Sequence, residues 1–206
     1  MTTLKVLALG VLCAALSLGA TITVASTDVP KAILDNDPAG LTSTLIGPAL
    51  TNLTDINLIF TELRHTSVAD LHIALTSPSG TSVVLVKAFT ENGILKGLGT
   101  PDDFLGTVFD DQAPTNLLNG VAPYTGSFNI NHASVVANPL STFNGENASG
   151  TWTLFISDLA TEDVGTLKGW SIQFTGTGTE VPEPGTMGLL GLGLAGILVK
   201  ARRLRS

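Results

Sequence analysis

Short runs of alternating apolar and polar residues, each bounded by turn-forming residues, limit what this 206-residue chain can build. Side chains on a strand return to the same face every second residue. Within Asp55–Leu63, Ile56, Leu58 and Phe60 follow that period. Leu71, Ile73 and Leu75 alternate with His72, Ala74 and Thr76, Ser77-Pro78-Ser79-Gly80 then reads as a turn, and Val83–Val86 resumes as the second arm of a hairpin. Trp152, Leu154 and Ile156 share one face of a later strand, and Trp170, Ile172 and Phe174 share one face of the last. Between 90 and 150 the chain is dense in Gly, Asn, Asp and Pro and shows few clean periods. No amphipathic helical run of useful length is present, so the pattern predicts an all-β sandwich or barrel. The two tryptophans carry large apolar faces that suit a core, with a ligand-stacking platform as the alternative. Gly80 and Gly150 stand where turns call for positive φ.

The two ends have a different character. Mean hydropathy is +0.38, and much of the apolar excess lies in the first 25 and last 20 residues. Lys5 makes a short positive start, Val6–Ala20 is apolar and uncharged, and Thr23-Val24-Ala25 puts small residues before a cut at Ser26. This is the pattern of a secretory signal peptide over 1–25, with a membrane anchor as the alternative. Cys13 leaves with the signal, so the mature chain has no thiol or disulfide chemistry. At the other end a flexible stretch from Thr175 precedes Val181-Pro182-Glu183-Pro184. An apolar run from Gly185 to Val199 follows, and Lys200, Arg202, Arg203 and Arg205 close the chain. Fifteen helical residues reach about 22 Å, short of a roughly 30 Å hydrocarbon core unless flanking residues extend the span. The basic tail should stay cytoplasmic. Pro182-Glu183-Pro184, the short span and Arg202-Arg203 together closely resemble the PEP-CTERM sorting signal of Gram-negative bacteria. The resemblance implies signal peptidase and exosortase as export partners. It also implies transient anchoring in the inner membrane, then release to the cell surface or extracellular matrix. A permanent tail anchor is the alternative.

The middle of the chain carries a second resemblance. Ile33–Pro38, His65-Thr66-Ser67-Val68-Ala69-Asp70-Leu71 and Leu75–Thr81 look like the first half of a proprotein-convertase P domain (P/Homo B). Gly150-Thr151-Trp152-Thr153-Leu154, Asp158, Gly165-Thr166-Leu167 and Trp170 look like its second half. The resemblance implies a jelly-roll-like β-sandwich of about eight strands over 27–178, flanked by the signal helix and, in 179–206, by the sorting signal with its hydrophobic helix. In convertases and related subtilisin-type proteases this module supports the catalytic domain and is itself non-catalytic. The region 90–145 departs from the family pattern.

Charge narrows the function classes. Residues 26–183 hold five basic side chains (Lys31, Arg64, Lys87, Lys96, Lys168) against all 17 acidic ones, so 5 − 17 leaves −12. Nucleic acid is therefore excluded as a partner, because phosphate binding needs clustered cations. Gly80-Thr81-Ser82 resembles the serine motif of subtilisins, but His65, His72 and His132 lack the expected context for a general base, and no catalytic residue is assigned. His65 reads as a structural residue hydrogen-bonded near a sheet edge. Calcium is the one cofactor worth raising, with solvated acidic loops on an acidic protein as the alternative. Asp70 and Asp158, at strand ends, are the first candidate ligands, and Asp110 is the third, brought to the same end by a long loop. Two functions remain: a structural, adhesive or protein-binding module, with extracellular polysaccharide among its partners, or an accessory domain acting in trans on a subtilisin-like protease.

Overall fold

Ten strands form two sheets in the computed structural model, which describes residues 19–88, 102–130 and 139–178. In chain order they are β1 Gly19–Ala25, β2 Lys31–Ile33, β3 Leu41–Gly47, β4 Leu50–His65, β5 Leu71–Thr76, β6 Ser82–Val86, β7 Phe104–Phe109, β8 Gly126–Phe128, β9 Gly150–Asp158 and β10 Gly165–Gly178. The six-stranded sheet runs β1-β10-β4-β7-β8, with β2 also on β10, and the four-stranded sheet runs β3-β9-β5-β6. Among the described residues β7 and β8 are the parallel pair, and the other ladders are antiparallel. Consecutive strands repeatedly change sheet, as in a jelly roll, so the expected all-β sandwich is the fold found. The two expected flanking helices lie outside the described residues. Among the described residues no helix is long and apolar enough to cross a membrane.

The sheets are clasped by aromatic side chains. Trp152 on β9 is fully buried, and its ring centroid lies 5.3 Å from that of Phe174 on β10. Trp170 on β10 donates its Nε1 proton to Ser43 Oγ on β3 at 2.7 Å. Both rings belong to the core, as the apolar-face reading expects. Gly80 and Gly150 adopt φ of +91° and +123°.

One irregularity positions the site described below. Inward-facing residues on β4 are Ile56, Leu58 and Phe60, then Leu63 and His65; on β10 they are Leu167, then Trp170, Ile172 and Phe174. β7 buries Phe104, then Thr107 and Phe109. Within these stretches each strand breaks its two-residue period at one level, and the breaks coincide, because Glu62 is the partner of both Gly169 and Leu105. Gly106, with φ +63°, and the register shift at Gly169 absorb the slip. An unbroken alternation from Phe60 would have turned His65 to solvent; the slip turns it inward.

β1 moves the expected domain boundary. Sequence patterning ends the signal at Ala25 and starts the folded domain at residue 27. The sheet instead reaches back to Gly19, each residue of β1 paired in register from Gly19↔Thr177 to Ala25↔Ser171. The unit spans Gly19–Thr179. Thr21-Ile22-Thr23-Val24-Ala25 is an alternating, β-branched run, as suited to a strand as to the end of a signal.

Candidate functional site

At one end of the sandwich the slip delivers His65, from the six-stranded sheet, to Asp158 at the end of β9 in the other. Both side chains are fully buried, with Nε2 3.3 Å from Asp158 Oδ2. Nδ1 lies 2.7 Å from the Ser67 carbonyl oxygen and 3.1 Å from the Ser67 nitrogen. Nδ1 finds its hydrogen-bonding partner in Ser67, whereas Nε2 and Asp158 Oδ2 sit close together without the geometry of a hydrogen bond. Asp158 Oδ1 accepts from the Ala160 N–H at 3.0 Å, so this carboxylate also closes the turn after β9. His65 is thus the hydrogen-bonded structural residue the sequence points to. Its strand, however, is interior to the sheet, between β10 and β7, rather than at an edge.

Asp70 joins this end. It closes a short 3-10 turn over Val68–Asp70, and its carbonyl accepts from Leu159 N–H at 3.0 Å, tying the two loops together. Its carboxyl is pushed up to about 6 by burial first, then by sharing a hydrogen bond with Asp163, with the charges of Asp163 and Asp158 adding to the effect. Asp163 is in turn held by its N–H, which donates to Asp35 Oδ1 at 3.3 Å. Outside this cluster, Asp103 accepts from Arg64 Nη1 and from the His65 N–H, each at 3.0 Å. Arg64, Asp103 and Val164 line a depression of about 290 Å³ beside it.

Asp110 is elsewhere, which corrects the expectation that a long loop carries it to Asp70 and Asp158. Asp103 and Asp110 flank opposite ends of β7, and seven residues of strand span about 20 Å. Asp103 meets His65, whereas Asp110 lies beside Asp55 and Asp111. Burial, followed by the charge of Asp110, raises the Asp55 carboxyl; burial is also the main cause that raises Asp111. Among the described residues no group of three or more His, Cys, Asp or Glu side chains is arranged to hold a metal ion.

Among the described residues the serine motif has no supporting geometry either. Ser82 opens β6 and its hydroxyl accepts from Thr76 Oγ1 at 3.0 Å. Thr76 and Leu71 are opposite ends of β5, and Leu71 is the register partner of Asp158, so Ser82 and the His65–Asp158 pair stand a strand length of about 17 Å apart. His132 lies outside the described residues.

Sequence reasoning missed a second polar centre. Asp28 accepts from the Thr44 N–H at 2.9 Å, Lys31 Nζ at 3.0 Å and Ser26 Oγ at 2.7 Å, and also from Ser43 Oγ. Burial works to raise this carboxyl, but the bonds from Ser43, Ser26, Thr44 and Lys31 outweigh it and hold the group well below the usual carboxylate range. Ser26 and Lys31 are near neighbours of Asp28 in the chain, but Ser43 and Thr44 come from β3, and no local spacing announces that half of the network.

Two sheets packed as a jelly-roll sandwich define the class of fold, and the family comparison places the chain within it. The chain matches the proprotein convertase P-domain over residues 58–174 and belongs to that family, a non-catalytic accessory domain of subtilisin-like proteases; no catalytic family is indicated. Residues 180–203 match the PEP-CTERM protein-sorting motif, which implies export and membrane-transit sorting in Gram-negative bacteria, with processing by exosortase. Among solved structures, the chain is similar to the serine protease of Aeromonas sobria in complex with its chaperone, at 21% identity and TM-score 0.42. The free protease gives 18% and 0.41. The aligned regions cover 78% and 77% of this chain but 26% of each protease chain. No curated protein matches the chain.

Proposed function

We propose that this chain is an exported, non-catalytic β-sandwich module that exosortase releases to the cell surface or the extracellular polysaccharide matrix, where it has a structural, adhesive or protein-binding role. The observation that supports this reading is the pairing of a P-domain with a PEP-CTERM motif in one chain. The acidic middle keeps such a module soluble and repels polyanions. A second reading follows from the family itself: the module acts in trans on a subtilisin-like protease, as a P domain supports its catalytic neighbour within one chain.

Co-purification of the mature domain from culture supernatant, after mild cross-linking, tests both. Recovery with surface proteins or matrix polysaccharide supports the first reading. Recovery of a subtilisin-like protease whose melting temperature rises on adding the purified domain establishes the second. Labelling of the domain alone by a serine-directed fluorophosphonate, lost in Ser82→Ala, overturns the non-catalytic assignment.

A further inference from the structure

The strand β1 bears on where the precursor is cut. It occupies the edge of β10 over residues 171–177, while β2 covers residues 165–167 of the same edge. The other edge of β10 is taken by β4. Removing residues up to Ala25 would therefore strip one side of β10 along seven registered positions, leaving a row of unpaired N–H and C=O groups. Such an edge is a template for pairing with another chain, which an exported protein must avoid. Ala20 and Val24 also pack against the core, and Thr21 Oγ1 meets Thr175 Oγ1 at 3.0 Å.

The chain just after β1 is equally committed. The Ser26 N–H donates to the Trp170 carbonyl at 3.0 Å, and Ser26 is 8% exposed. Its hydroxyl donates to Asp28, in the network that also holds Ser43, the partner of the Trp170 ring. A new chain end at Ser26 would set a terminal ammonium in this buried junction and remove the strand that leads into it.

The sequence offers an earlier site. Ser17 and Gly19 put small residues at −3 and −1 before Ala20, and Ala20 is itself a small −1 residue before Thr21. The apolar run then extends from Val6 to Leu18, thirteen residues, within the roughly 7–15 of a signal-peptide core.

We infer that signal peptidase cuts at the very start of β1, after Gly19 or Ala20, so that Thr21–Ala25 at least stays in the exported protein and covers the edge of β10 over residues 171–175. The step is a hydrolysis. Water adds across one peptide bond, leaving a carboxylate on Gly19 or Ala20 and an amine on Ala20 or Thr21. This rests on the export reading, and the test separates the two.

The full-length precursor is expressed in an exporting Gram-negative host, and the mature protein is read by N-terminal sequencing and intact mass. The expected first residue is Ala20 or Thr21. Ala25→Leu, which puts a bulky group at −1 of the later site on an exposed position of β1, should leave that start and the yield unchanged. Gly19→Leu with Ala20→Leu should stop processing at the early site and accumulate precursor. A mature chain starting at Ser26, or anywhere beyond Thr21, overturns the placement while leaving export intact. A wild-type chain that keeps Met1 through Leu18 overturns both.

Discussion

Trp152→Ala should remove more stability than any other single truncation on β9, and the structure gives the reasons. The ring is fully buried, packs edge-on against Phe143 at 5.1 Å and tilts against Phe174 at 5.3 Å. Its Nε1 donates to the Ala148 carbonyl at 2.9 Å, inside the core. Truncating a buried Trp costs about 3–5 kcal/mol from lost burial and the cavity left behind. The Ala148 carbonyl then loses its donor in a dry environment, which costs about 1 kcal/mol or more. The sum, about 4–6 kcal/mol, is comparable to the roughly 5–15 kcal/mol that hold a domain together. With a urea dependence of about 2 kcal/mol per molar, the midpoint should fall by about 2–3 M, and a marginal domain would be unfolded in buffer. Urea titration of residues 19–178, followed by far-ultraviolet circular dichroism, measures this. Trp152→Phe should recover part of the loss, keeping the ring contacts without the donor. A midpoint for Trp152→Ala within about 0.25 M of the wild type would refute the reasoning, since a shift of about 0.5 kcal/mol is typical of surface substitutions.

Three further outcomes follow from the same coordinates. Gly47→Ala should destabilise by about 2 kcal/mol or more, because its Cβ would lie 1.9 Å from the Ala148 carbonyl oxygen and 2.8 Å from Trp152 Nε1, forcing apart that same bond; an unchanged thermal melt would contradict this. Asp70 sets a pH dependence: its carboxyl titrates at about 6 when folded against 3.8 as the reference value, so the folded state holds the proton more tightly. The linked stability is complete below pH 3.8 and is lost as pH rises through 6. Its size is of order 1–2 kcal/mol, reduced by sharing with Asp163 and by solvent screening, and Asp70→Asn should flatten it in urea titrations across that window. Calcium at Asp70 and Asp158 stands as a proposal, and a bound cation would have to displace that proton. The expected signature is a rise of a few degrees in Tm at pH 7.5, smaller at pH 5 and absent in Asp70→Asn, with identical curves in calcium and chelator at both pH values refuting it.

Local pattern alone determined a good part of this protein. Alternation marked most of β4, β5, β9 and β10, where a core-facing set of large apolar residues recurs every second position, and β6 showed as the short apolar run Val83–Val86 after a turn. The Ser77–Gly80 turn and the positive φ of Gly80 and Gly150 were legible for the same local reason. So were the burial of Trp152 and Trp170 and the sorting motif at 180–203. β7 was not legible. Its buried Phe104 and Phe109 are five positions apart, and only pairing with a β4 that slips at the same level turns both inward. That slip also decided that His65 meets Asp158. β1 was hidden because a signal-peptide end and an exposed edge strand draw on the same small and β-branched residues. Asp70 and Asp158 stood at strand ends in the sequence and Asp110 in a long loop free to join them, yet β7 carries Asp110 to one end of the sandwich while Asp70 and Asp158 meet at the other. Strand direction and register, set by long-range pairing, decide which end a loop belongs to, and no local spacing encodes them.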